Sequence, residues 1–136
     1  MNNIFYKVDI PKNWKYTQLR KGTRKFVELP LNLKFNDGVE LSGETYDLSV
    51  GGFSFNSIHD LSTVQKRFAC NCKIKFPNEG IINFPDGELE VDAIFVRQKP
   101  ILDDYDLRDH RRISFKFLNL SPDYELILKN FLMKIE

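Results

Sequence analysis

An all-β fold with a C-terminal helix, built as a six-stranded antiparallel β-barrel, is the architecture this sequence predicts, and three observations predict it. The composition favours strands, with 12 Phe and 5 Tyr among scattered β-branched residues. Apolar and polar residues alternate in short runs separated by turn signals, and helical spacing occurs only near the end of the chain. About six short strands followed by one helix bury their apolar faces most economically by closing the sheet, which also removes the open edges that invite aggregation.

In chain order, residues 4–10 alternate before a Pro11-Lys12-Asn13 break, which marks residues 1–18 as an N-terminal tail or linker and residues 19–136 as the barrel domain. Residues 25–35 form the first strand region. Its apolar phase slips at Leu29-Pro30-Leu31, so Pro30 marks a bulge or an edge position. Asn36-Asp37-Gly38 is the strongest hairpin signal, and residues 39–48 return from it. The chain turns sharply at Gly51-Gly52 into a strand over 51–55, and residues 57–69 read as a loop with at most one helical turn.

Residues 70–76 and 87–98 are the next strands, the latter carrying Leu89, Val91, Ala93 and Phe95 on one face. An acidic loop with Asp103, Asp104, Asp106 and Asp109 separates them from the last strand, 111–118, in which Ile113, Phe115 and Phe117 alternate with polar residues. Ser121 is a good N-cap, and Pro122 and Asp123 suit a first helical turn. Tyr124, Ile127, Leu128, Phe131, Leu132 and Ile135 then share one helical stripe that covers the sheet, while Leu126 and Met133 fall opposite it, leaving a monomer or a homodimer open.

A chain of 136 residues suits one core, and 42% hydrophobic with 29% charged residues excludes wholesale disorder. The formal net charge of +1 argues against the broad basic footprint of a nucleic-acid polymer binder. With no apolar run long enough to span a bilayer and no signal-like N-terminus, the expectation is a cytoplasmic protein without a membrane span. Cys70 and Cys72 lack companion ligands at zinc spacing and read as reduced strand cysteines, with no metal or cofactor implied. An enzyme is disfavoured: Ser49 is not in a nucleophile elbow, and His59 and His110 have no recognisable partner in the sequence.

Two stretches carry the chemistry. Arg20-Lys21-Gly22-Thr23-Arg24 sets two guanidinium forks four residues apart, suited to phosphate oxygens and to the O6/N7 edge of guanine. Asp47-Leu48-Ser49-Val50-Gly51-Gly52 adds a carboxylate that can accept from guanine N1–H and its amino group. Read as strand, this stretch turns Ser49 to the same face as Asp47, and its glycines allow positive φ and close approach of a ligand. Separately, the first stretch reads more readily as two solvated surface arginines, and the second can equally be a strand-end turn.

Together and in this order, R-x-x-x-R before the first strand and D-x-S-x-x-G after the hairpin resemble the PilZ domain, a bacterial receptor module for cyclic di-GMP. The resemblance covers about residues 19–135, including Arg111 to Pro122 as last strand and helix entry. It implies that Arg20 and Arg24 bind phosphate and guanine, that Asp47 and Ser49 read the base, and that Gly51 and Gly52 permit close approach. It makes Leu19, which precedes the first arginine, an influence towards a single bound ligand molecule, and the position of Arg97 near the end of its strand suggests an accessory contact, against the plainer reading of a solvated strand-end charge. The function it implies is a non-catalytic cyclic di-GMP receptor in which the ligand orders the arginine segment against the barrel and changes contact with an unidentified protein effector controlling motility, exopolysaccharide or virulence. The alternative is an interaction adaptor with the same fold and no nucleotide.

Overall fold

The computed structural model describes residues 23–58, 69–77, 84–102, 104–107 and 109–135. Expectations for the tail, for Leu19 and Arg20, and for most of the loop after residue 57 lie outside the described residues. The described residues include seven strands and one α-helix: β1 (Lys25–Phe26), β2 (Pro30–Phe35), β3 (Glu40–Leu48), β4 (Gly52–Ser57), β5 (Ala69–Lys75), β6 (Glu88–Pro100), β7 (Arg111–Phe117) and α1 (Pro122–Met133). All pairings are antiparallel. β2 pairs with β3 and β5, β5 with β6, β6 with β7, β7 with β4, and β4 back with β3, so six strands form a closed barrel and β1 is the additional strand.

β1 and β2 flank the same edge of β3. Phe26 pairs with Asp47 and Pro30 with Glu44, so three residues of the first strand line span what two residues of β3 span. This one-residue excess is the slip visible at Leu29-Pro30-Leu31, and a buried threonine fastens it. Thr45 Oγ donates to the Val27 carbonyl and accepts from the Leu29 amide at 3.0 Å. Thr45→Val keeps the shape but strands the Leu29 N–H in a buried setting, an expected cost of about 1–3 kcal/mol, read as a lower urea midpoint at unchanged slope.

The Asn36-Asp37-Gly38 hairpin turns as its residues dictate: Gly38 has φ 88°, and Asp37 Oδ1 accepts from Val39 N at 3.1 Å. β6 reaches Pro100, two residues further than the sequence pattern indicated, because it stays paired with β7 to the Pro100–Arg111 register.

Alternate residues fill the interior. Leu31, Leu33 and Phe35 of β2, Phe53 and Phe55 of β4, Leu89, Val91 and Ala93 of β6, and Ile113, Phe115 and Phe117 of β7 are all buried. Phe53 and Phe115 stack with ring centroids 5.6 Å apart and planes 6° from parallel. α1 begins as its sequence demands, with Ser121 Oγ accepting from Tyr124 N at 3.2 Å and Pro122 in the first turn. Its Phe131 and Tyr124 meet Phe76 and Phe84 edge-on at 4.9 and 5.3 Å. Leu128 and Leu132 are buried, whereas Leu126 and Met133 are exposed. Among the described residues no helix is long and apolar enough to cross a membrane.

Cys70 and Cys72 line the barrel interior as free thiols. Burial, with a smaller contribution from Asp92, pushes Cys70 up to about 12 from 9.0, and burial also raises Cys72. The folded state therefore holds protons that the unfolded chain releases near its ordinary thiol pKa, so the thiol contribution to stability is intact below pH 9.0 and is lost as pH rises towards about 12. In the native protein neither thiol should react with iodoacetamide at pH 8, while both react after unfolding. Rapid native alkylation would contradict this.

Candidate ligand site at the start of the barrel

The site is built where β1, β3 and β4 lie side by side. The register places Phe26 opposite Asp47 on one edge of β3 and Ser54 opposite Asp47 on the other. Asp47 is 3% exposed, so the carboxylate that the sequence marked for ligand contact is buried in this structure. Its carboxylate is held at both oxygens. Ser54 Oγ, itself buried, donates to Oδ1 at 2.7 Å, and Arg24 Nη1 lies 3.4 Å from Oδ2.

The two partners differ in freedom. Ser54 is fixed in a barrel strand paired with β7 on its far side, whereas the Arg24 side chain is 40% exposed and immediately precedes the two-residue β1. The carboxylate is thus oriented from within the barrel and neutralised from outside it.

Ser49 is placed differently from the expectation. β3 ends at Leu48, so strand alternation no longer governs Ser49, and its hydroxyl turns into the bend. The Ser49 oxygen accepts from the amides of both Gly51 and Gly52 at 3.2 Å, and Ser49 N donates to the Gly52 carbonyl at 2.8 Å. Its observed contacts organise the turn that delivers β4, a familiar use of serine in bends.

The glycines likewise serve the turn. Positive φ among the described glycines occurs at Gly38 and Gly87, not at Gly51 or Gly52. A Cβ on Gly52 would stand 2.1 Å from the Phe115 carbonyl oxygen, so close approach is made here by β7 rather than left open for a ligand. Gly51 contributes its carbonyl to Phe117 N at 2.9 Å.

Arg97 is exposed on β6 in register with Ser114, which faces Ser54. It therefore occupies the same cross-strand row as Asp47 but three strands away, about 14 Å by ordinary strand spacing. Arg20 and Leu19 lie outside the described residues, so of the two arginines only Arg24 is placed beside Asp47.

Four residues that the sequence did not assign to the site adjoin this centre: Ser54, Phe26, Tyr46 and Arg112. Ser54 was legible in principle, because a tight hairpin around residues 49–52 sets it opposite Asp47. Tyr46 was not. β3 carries an irregularity between Thr45 and Asp47, and Tyr46 is the extra residue that a bulge turns outward beside Asp47. Arg112 of β7 covers the Tyr46 ring at 3.6 Å and donates from Nε to Asn56 at 3.1 Å.

Behind the site, Lys25 Nζ donates to the Ile135 carbonyl at 3.0 Å, linking the residue after Arg24 to the segment that ends α1. A groove of about 410 Å³ lined by Thr23, Lys25, Val50, Glu125, Lys129, Leu132 and Met133 separates that strand from the helix.

Known structures share this arrangement of strands and helix. The Bacillus subtilis inhibitor of motility MotI/DgrA superposes with a TM-score of 0.66 at 17% identity, over 85% of this chain and 50% of that one. The PilZ domain of Escherichia coli YcgR, solved with c-di-GMP, gives 0.64 at 21% identity over 85% of this chain and 90% of that one. The K. pneumonia MrkH–c-di-GMP complex gives 0.65 at 16% identity over 85% and 51%. At these identities the likeness is one of fold, and the chain spans about half the length of MotI/DgrA and of MrkH. No curated protein sequence matches significantly. The profile of the PilZ domain matches residues 18–134, nearly the whole barrel and its helix, and the chain belongs to the PilZ domain family.

Proposed function

We propose that this chain is a non-catalytic receptor for cyclic di-GMP, working in the cytoplasm and passing the signal to a protein effector of motility, exopolysaccharide production or virulence. The observation that carries the reading is the asymmetric clamp on Asp47: a buried carboxylate oriented by Ser54 at 2.7 Å and capped by a half-exposed arginine at 3.4 Å. Guanine offers two parallel donors, N1–H and the amino group, which are the complement of a carboxylate. The base replaces Arg24 at the carboxylate, and the freed guanidinium takes a ligand phosphate or the O6/N7 edge. Arg20 supplies the second fork. Ser49, Gly51 and Gly52 support the site by holding the turn that sets β4 against Asp47.

Moving Arg24 moves its neighbours. Lys25 is bonded to the carbonyl of Ile135, so a change in the arginine segment is passed to the end of α1, beside the exposed Met133. That is the route by which the nucleotide alters an effector surface.

A second reading draws on the same clamp. Asp47 already has partners at both oxygens, so the fold is self-sufficient without nucleotide, as an interaction adaptor requires. Titration calorimetry separates the two. The receptor reading expects saturable one-to-one binding of cyclic di-GMP at micromolar or tighter affinity, and no heat at high ligand concentration would overturn it.

A further inference from the structure

Beyond the Asp47 centre, a continuous platform of rings and one guanidinium lies on the outer face of the barrel. Phe26 is 70% exposed although it sits in a strand, and its ring meets Tyr46 edge-on at 5.3 Å. Arg112 lies over the Tyr46 ring with Cζ 3.6 Å from its centroid, and its Nε donates to Asn56. The irregularity between Thr45 and Asp47 is what aligns these groups, because it lets Tyr46 and Asp47 share the outer face between Thr45 and Leu48, which pair with the core residues Phe55 and Phe53.

The platform is contiguous with the clamp. Phe26 is the register partner of Asp47, and Tyr46 precedes Asp47 in the chain. Arg112 pairs with Asn56, two residues along β4 from Ser54. Two strand spacings separate β3 from β7, so Arg112 stands about 10 Å across the sheet from Asp47.

We propose that Phe26, Tyr46 and Arg112 form a second base subsite that receives the other purine of the dinucleotide by stacking, an inference that rests on the cyclic di-GMP reading of the Asp47 clamp. A cyclic dinucleotide held by one guanine at Asp47 projects its second base from the same ring of sugars and phosphates, over the neighbouring surface. Aromatic faces and a guanidinium plane suit any purine face, and Arg112 adds donors for an adjacent phosphate. The clamp thereby selects guanine, and the platform selects a ligand with two bases over a mononucleotide. A core or packing role alone does not account for Phe26, whose ring is left mostly in water beside the carboxylate.

The test is calorimetry of cyclic di-GMP with the wild-type chain, Arg112→Gln and Phe26→Ser, with thermal melts on each. The expected result is a Kd raised about tenfold in Arg112→Gln and about fivefold in Phe26→Ser, within the range that base stacking contributes, with Phe26→Ser melting close to wild type. If Arg112→Gln loses its fold along with its bond to Asn56, Phe26→Ser decides alone. Wild-type binding with Phe26→Ser, and any folded Arg112→Gln, within twofold of it overturns the platform and leaves the receptor reading standing. No binding by the wild type overturns both.

Discussion

Asp47→Ala is expected to weaken cyclic di-GMP binding by about 10- to 100-fold in calorimetry, the effect of losing one bidentate base contact. Asp47→Asn should fare no better, although it is nearly isosteric and keeps an acceptor for Ser54. Its amide presents donors to the donors of guanine and removes the charge facing Arg24. Ser54→Ala leaves the carboxylate in place but frees its rotation, and a loss of about threefold to tenfold is expected, since one neutral-to-charged hydrogen bond is removed.

Stability should separate these variants in a different order, because the clamp holds a buried charge. Arg24→Ala leaves the buried Asp47 carboxylate bonded to Ser54 but without the opposing guanidinium charge and should cost about 1–3 kcal/mol, whereas adding Asp47→Ala to it should restore part of that loss. An Asp47→Ala chain that binds cyclic di-GMP as tightly as wild type would end the assignment of this carboxylate to base recognition. A double variant less stable than Arg24→Ala would mean that the carboxylate is not the penalised group.

Gly52→Ala is expected to be the most damaging single methyl in the barrel. The added Cβ would stand 2.1 Å from the Phe115 carbonyl oxygen and 3.1 Å from Lys116 Cα, both backbone atoms of a paired strand. No flexible side chain can move aside. The Gly52–Lys116 pairing must open, and with it the neighbouring bond from Phe117 N to the Gly51 carbonyl. A cost of about 3 kcal/mol or more follows, at the upper end of overpacking penalties, which lowers the melting temperature by roughly 10 °C in a domain of this size. Cyclic di-GMP binding should fall with it, because β4 carries Ser54 to Asp47. A melting temperature within about 2 °C of wild type would show that β4 and β7 can part at no cost.

Much of the fold was legible along the chain because its signals are local. The Asn36-Asp37-Gly38 turn, the alternation that buries Ile113, Phe115 and Phe117, and the Ser121-Pro122 helix start each depend on residues within a few positions of one another. The phase slip at Pro30 also announced a bulge, although not that Thr45, far along the chain, would fasten it through Val27 and Leu29.

The candidate site was legible as a set of residue types and only in part as a geometry. Arg24 and Asp47 were named from their motifs, and the structure brings them to 3.4 Å. Ser49 was read by strand alternation, which fails one residue past the end of β3, where the hydroxyl serves the turn instead. Gly52 was read as space for a ligand, but the space belongs to β7. Tyr46 and Arg112 carried no signal, because a bulge depends on which strand residues pair, and pairing is not a property of either strand alone.

By itself, then, the sequence determined the strand-forming segments, the hairpin, the terminal helix and the pair of motifs that mark a PilZ domain, since side-chain period, turn chemistry and caps act over a few residues. Only the tertiary structure decided that Asp47 is buried, that Ser54 orients it, and that Phe26, Tyr46 and Arg112 share its surface. Those facts follow from strand pairing within the closed barrel, which sets Phe26 and Ser54 on either side of Asp47, brings Arg112 opposite Asn56, and decides which of them face the same side.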